Sequence, residues 1–220
     1  MNAVFRVCIG CAALALLACS AAPTRADIIF SNFGPHDSYD PQLGFQVGTS
    51  IFGGPPVQEA MAFSPLGGSF TFDRIEIALS LSRGPNLIDV SLTTSVDGAP
   101  GQILESFRFV NAMGPFGLLN DPLVADSVLH PLLSEGTQYW IVASAPDAST
   151  SALWNLTFPA DIGIRGFRQG DDPWQVFDSN IRSAFRVSGD PVPEPGTVVL
   201  LSVGALGLLA SAFCQRIDRR

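Results

Sequence analysis

Between residues 27 and 190 apolar and polar positions alternate with the two-residue period of half-buried strands, and glycine or proline interrupts the pattern about every ten residues. No amphipathic helical window stands out. In GSFTFDRIEIALSLSRGPN, Phe70 and Phe72 share one face, and Ile75, Ile77, Leu79 and Leu81 take the opposite parity. Asp73-Arg74 therefore reads as a bulge that resets the face, and Arg83-Gly84-Pro85-Asn86 as the turn that follows. LIDVSLTTS puts Ile88, Val90 and Leu92 inward and Asp89, Ser91 and Thr93 outward, before a reversal at Asp97-Gly98. QILESFRFV continues with Ile103, Phe107 and Phe109 inward. In TQYWIVASA, Tyr139, Ile141 and Ala143 alternate with Trp140 and Val142, the mark of a strand covered on both sides. RSAFRVSG closes the pattern with Phe185 and Val187 opposed to Ala184. Ten to twelve short strands with turns at this spacing predict an all-β fold, an antiparallel, jelly-roll-like β-sandwich. About 164 residues, Asp27 to Asp190, suffice for one domain with a substantial core.

The two ends are apolar without alternation. Arg6 precedes the apolar stretch Val7 to Ala18, and small residues lead to Thr24-Arg25-Ala26, the three-part layout of a secretory signal cleaved after Ala26. Leu16-Leu17-Ala18-Cys19 also resembles a lipobox, which leaves lipoprotein processing at Cys19 as an alternative. At the other end, Thr197 to Cys214 is 18 residues without a charge. As a helix it would reach about 27 Å, near the hydrocarbon thickness of a bilayer. Pro193 and Pro195 stand just outside its start, and Arg216, Arg219 and Arg220 follow it, which sets that end in the cytoplasm. The predicted organisation is a signal helix (1–26), the sandwich (27–190), a linker (191–196), a transmembrane helix (197–214) and a basic cytoplasmic tail (215–220). Such a chain is exported and held at the inner membrane as a type I precursor.

Val192-Pro193-Glu194-Pro195, the apolar span and the arginine cluster, in that order, resemble the PEP-CTERM sorting signal of Gram-negative bacteria. The resemblance implies recognition by a membrane-embedded exosortase, with Pro193, Glu194 and Pro195 as the handle for that enzyme. It also implies a host that makes extracellular polysaccharide and a mature form at the envelope or in the matrix. SNFGPHDSYD, AMAFSPLGGSFTFDRIEIALS, SVDGAPGQILESF, HPLLSEGTQYWIVASAP and WNL, in this order, resemble a choice-of-anchor passenger domain of type R. That family implies a surface address and carries no established activity.

Cysteine and charge narrow the chemistry. Cys8, Cys11, Cys19 and Cys214 all lie in the terminal segments, so the central domain has no disulfide frame, thiolate metal site or cysteine nucleophile. The chain has no lysine, and 18 acids against 7 arginines leave residues 27–190 with a formal charge of −11. Nucleic acid and anionic membrane surfaces are poor partners for such a domain; neutral sugar chains or calcium fit better. Glycoside hydrolysis needs two facing carboxylates. The domain's glutamates are Glu59, Glu76, Glu105 and Glu135, of which Glu76 and Glu105 read as outward-facing and unpartnered. His36 reads as a loop residue and His130 as a structural one, and no phosphate loop or HExxH is present. No catalytic residue is expected.

Asp37 and Asp40 are the candidate ligands for a single structural calcium, the one cofactor considered, although turn chemistry also explains them. Trp174 with Asp172 is the candidate sugar platform, and a half-buried loop anchor is the alternative; Trp140 reads as core. A sequon stands at Asn155-Leu156-Thr157. The sequence thus points to a non-enzymatic envelope or matrix protein, with exosortase as processing partner and exopolysaccharide as associate. The alternatives are a carbohydrate- or calcium-binding module, or a glycan hydrolase with an unrecognised carboxylate pair.

Overall fold

The alternating segments form strands in the computed structural model, which describes residues 26–49 and 54–193. The expected signal helix up to residue 25, Glu194 and Pro195 of the motif, the expected span 197–214 and Arg216, Arg219 and Arg220 lie outside the described residues. Fifteen strands occur among those described, more than the ten to twelve expected. In chain order they are β1 (Asp27–Ser31), β2 (Tyr39–Gly48), β3 (Val57–Phe63), β4 (Phe70–Ile77), β5 (Leu79–Arg83), β6 (Leu87–Val96), β7 (Ala99–Val110) and β8 (Gly114–Pro115). There follow β9 (Leu123–Asp126), β10 (Leu132–Leu133), β11 (Tyr139–Ser144), β12 (Ser151–Thr157), β13 (Ile162–Gln169), β14 (Gln175–Ile181) and β15 (Phe185–Pro191). The surplus comes from two-residue strands and from one predicted strand that serves two sheets.

A five-stranded sheet runs β1-β15-β4-β10, with β9 also on β4. A ten-stranded sheet runs β7-β6-β11-β3-β2-β12-β5-β8, with β13 and β14 added at β3. The pairings are antiparallel except that of β5 with β8. β2 meets β3 through the single pair Gly48 and Val57. Backbone bonds from Ala78 to Ala184, Asn155 to Ala78 and Ala184 to Asn155 then join β12 and the start of β5 to the small sheet.

The predicted face reset occurs where the parity placed it. Phe72 pairs with Gly189 and Arg74 with Ser188, leaving Asp73 as the extra residue, and Phe70, Phe72, Ile75 and Ile77 are all buried. The chain leaves the small sheet at Ala78 and continues as β5 in the large one, where Leu79 is buried and Leu81 half-buried. Phe72, Phe185, Val187 and Trp154 pack against Met61, Ile141, Val90 and Leu92 in the core between the sheets. The indole N–H of Trp154 donates to the Ala184 carbonyl at 3.0 Å, so its burial leaves no polar atom unpaired.

β11 lies between β3 and β6 and is buried on both faces, as its pattern requires. Tyr139, Ile141 and Ala143 enter the main core. Trp140 and Val142 join Ala60 and Ala62 in a second cluster covered by Ile164, Trp174 and Val176. That cover corrects two outward assignments. Thr93, the cross-strand partner of Trp140, and Ser91 are buried, and the Ser91 hydroxyl bonds that of Ser106 at 2.9 Å. A bulge at Leu104, between the pairs Leu92–Glu105 and Thr93–Ile103, turns Ile103 out to solvent. Glu105, expected outside, is buried; its carboxylate accepts from the Ser127 hydroxyl at 2.6 Å and from the backbone N–H groups of Val128 and Leu129.

Glu59 faces the core side of β3 and is almost fully buried. Arg165 of β13 grips it through two bonds, Nε to Oε2 at 2.8 Å and Nη2 to Oε1 at 2.7 Å. The guanidinium lies 3.6 Å from the Phe45 ring centroid on β2. Burial pushes the Glu59 carboxyl up to about 7, and the hydrogen bonds and charge of Arg165 only partly offset it. Removing one partner leaves the other buried and charged, so Glu59→Ala is expected to cost about 3–5 kcal/mol. Glu59→Leu with Arg165→Met should recover most of that loss in urea unfolding. Because the folded carboxyl holds its proton where the unfolded one has released it, this group's contribution to stability should rise as pH falls from about 7 to 4.5. Glu59→Gln should remove that slope from urea midpoints measured across the window.

Candidate functional site at the shared exit of the two ends

β1 is too short to fold alone and is held by β15, with Asp27 opposite Gly189. Antiparallel pairing therefore brings the residues before β1 and those after β15 out of the small sheet at the same end. The loops 64–69 and 134–138 are stitched together there. Glu135 N–H donates to the Ser69 hydroxyl at 3.2 Å, Gly67 N–H to the Glu135 carboxylate at 3.2 Å and Gly136 N–H to the Pro65 carbonyl at 2.9 Å. Val192 N–H donates to the Ser69 carbonyl at 2.8 Å, which ties the chain down one residue past β15. Pro193, the first motif proline, is the last described residue.

Beside this exit a groove of about 600 Å³ opens on the outer face of the small sheet. Ala26, Asp27 and Ile28 form one side, Asp73, Arg74 and Glu76 the other, and Arg186 and Ser188 lie between. Two bulges make it. β1 slips register between Ile28 and Phe30, and β4 between Phe72 and Arg74, both against residues 187–189 of β15. Bulges bend strands and leave unpaired backbone, and they recur beside sites. Gly189 is needed where they meet, because a Cβ there would collide with the Thr71 carbonyl and come within 2.8 Å of Ile29 Cδ1.

The charges around the groove are partly matched. Arg186 Nη1 bonds Glu76 at 3.0 Å, and its other terminal nitrogen bonds Asp37. Arg74 Nε bonds Asp126 at 2.7 Å. Asp27 and Asp73 then leave the lining net negative. Glu76, read as unpartnered from the sequence, is engaged by Arg186.

The sequence candidates are dispersed. Asp37 pairs with Arg186, whereas Asp40 caps its own turn by accepting from Gln42 N–H at 2.8 Å and Leu43 N–H at 3.1 Å. Among the described residues no group of three or more His, Cys, Asp or Glu is placed to hold a metal. Asp172 is exposed, while Trp174 is half-buried against Trp140 and the notch at Gly166, with the Arg168 guanidinium 4.8 Å from its ring. His130 Nδ1 lies 3.1 Å from the Phe72 carbonyl, a structural bond. Asn155 of the sequon is buried, with its side-chain amide donating to the Asp40 carbonyl at 3.1 Å. Sequence reasoning missed Arg186 as a bridge and the bulge in β1. The first pairs across more than a hundred positions, and the second lies in a strand too short to display a parity change.

Residues 191–216 match the PEP-CTERM protein-sorting motif. The match opens on the last residue of β15, so the sorting segment begins where the ladder stops. The chain is thus an exported protein, membrane-anchored as a precursor and sorted to the envelope through an exosortase. No curated protein and no solved structure matches the chain.

With Asp37 and Asp40 engaged by different partners, melting midpoints in excess calcium and in excess chelator are expected to coincide. A midpoint raised by calcium would assign the structural ion.

Proposed function

We propose that the chain is a non-enzymatic envelope or matrix protein. Its sandwich is carried at the inner membrane by the apolar run 197–214 and handed to an exosortase at Pro193-Glu194-Pro195. It then associates with exopolysaccharide as a surface domain of the choice-of-anchor kind. The observation that carries this reading is the match beginning on the final strand residue. Only residues 193–196 separate the tied Val192 from the apolar run. Four residues reach at most about 14 Å, roughly twice the headgroup layer of a leaflet. The exit end of the sandwich therefore faces the membrane. Since both ends leave there, the domain can fold with either end still inserted. The formal charge of −11 on residues 27–190 disfavours adhesion to anionic lipid and leaves neutral glycan as the better surface partner.

Intact-mass analysis of membrane and medium fractions, from cells with and without the exosortase, tests the sorting step. With the enzyme the chain should lack its C-terminal apolar run; without it Arg220 should be retained. A cytosolic chain with Met1 and Arg220 both present would overturn the reading. Co-sedimentation of the mature protein with the host's own polysaccharide tests the association, and absence of co-sedimentation would remove that part.

A further inference from the structure

We infer that the loop 64–69 is a membrane-contact loop: in the precursor the Leu66 side chain enters the interfacial layer of the leaflet that the exit end faces. The inference rests on the proposed anchoring through the apolar run 197–214. Leu66 is 77% exposed, on a loop whose base is fixed. Pro65 before it is buried, and its carbonyl accepts from Gly136 N–H at 2.9 Å. On the neighbouring loop, Ser134 N–H donates to the hydroxyl of buried Tyr139 at 2.9 Å. Past Leu66 the chain turns back through Gly67 (φ +79°) and Gly68 (φ +139°), and a Cβ on either would meet nothing within 4 Å. A firm base and an empty surround leave the leucine projecting from the domain.

A lone exposed leucine is ordinary on a protein surface. This one is placed by the tether. Val192 N–H donates to the Ser69 carbonyl at 2.8 Å, so the loop that carries Leu66 also holds the chain at its point of exit. Residues 193–196 alone follow before the apolar run, a reach of at most about 14 Å. A tether this short keeps the loop and the bilayer at an effective concentration on the order of millimolar, at which a weak apolar contact is populated. More apolar surface lies close along the ladder. Val192 is 39% exposed, and Leu132, 57% exposed, pairs with Thr71, which pairs on its other side with Asp190. Neither loop carries an arginine, and Glu135 is turned back to accept from Gly67 N–H at 3.2 Å. The contact is therefore apolar and suits a zwitterionic interface, in keeping with the negative charge of the domain. With Leu66 seated and Val192 tied to Ser69, the sorting motif starts at the bilayer surface, where a membrane-embedded exosortase must meet it.

The opposite end of the domain supplies a control. Leu119 is 65% exposed there, beside Asn120, whose backbone bonds the Tyr39 hydroxyl; Tyr39 pairs with Thr157, which bonds Arg182 ahead of β15. Residues 27–190 hold no cysteine, so one introduced thiol can carry a probe. With Cys214 replaced by serine, Leu66→Cys and Leu119→Cys would each be labelled with an environment-sensitive fluorophore. The signal-processed chain with its C-terminal run intact would then be reconstituted in phosphatidylcholine vesicles containing a lipid spin-labelled near the headgroup. Quenching is expected to be several times greater at position 66 than at position 119, with emission shifted to the blue at 66 alone. Because lipid is the only partner present, such quenching assigns the contact to the bilayer. Quenching at 66 no greater than at 119, in a chain that floats with the vesicles, would overturn the inference and leave the anchor in place. A chain that does not float with the vesicles would overturn the anchoring itself. Should Leu66→Cys fail to fold, exposed Thr137→Cys on the stitched loop takes its place with the same expectation.

Discussion

Backbone pairing between the first strand and the last governs how this protein can be used. β15 lies inside the small sheet between β1 and β4, and its final residue is the first residue of the sorting motif. Pairing with β1 holds it up to Gly189, and pairing with β4 carries on to Pro191, where the tail departs. The same ladder sets residue 27 beside residue 189. On the proposed topology, a domain built this way would meet the membrane with one end whichever terminus is still inserted, and would present the opposite loops outward. The groove is a by-product of the same strands, since both of its bulges form against residues 187–189 of β15.

No disulfide supports this arrangement, so packing must supply its stability. The core between the sheets and the outer cluster around Trp140 bury β11 on both sides. Trp174 serves the outer cluster as its lid, which explains why an aromatic residue sits in so polar a loop. Glu59 and Arg165 lie where β13 faces β2. A buried pair of this kind adds less stability than well-packed apolar groups of equal volume, but it penalises any register that separates its members. Beside β3, which meets β2 through the single pair of Gly48 and Val57, that penalty disfavours misplacement of β13.

The sequence displays those features that depend on neighbours two residues apart. The parity change at Asp73, the turn at Asp97-Gly98 and the double-sided β11 were all visible, because alternation records which face is covered. The passage of the chain from β4 to β5 at Ala78 was hidden, because parity runs on unbroken through the corner. Ile103 was misread because a bulge at Leu104 leaves no mark in a run of mixed residues, and Glu105 because its charge was weighed above the parity it shares with Phe107 and Phe109. Ser91 and Thr93 are polar in sequence and buried only because Trp140 and the cover over it lie above them. At the exit end, the motif was legible in full, since Pro-Glu-Pro, span and arginines are contiguous. The groove was not, because it requires two slips in separate strands and an arginine more than a hundred positions from its partners.

Pairing of β1 with β15 can be read directly in cells, since residues 27–190 contain no cysteine of their own. With Cys214 replaced by serine, Ile28→Cys and Ser188→Cys would place two thiols on cross-strand partners that line the same groove. Oxidative or short-reagent cross-linking of the exported chain should join them in high yield, both before and after exosortase processing. A folded, exported chain in which these two positions do not cross-link would contradict the shared exit on which the assignment of the membrane-facing end depends.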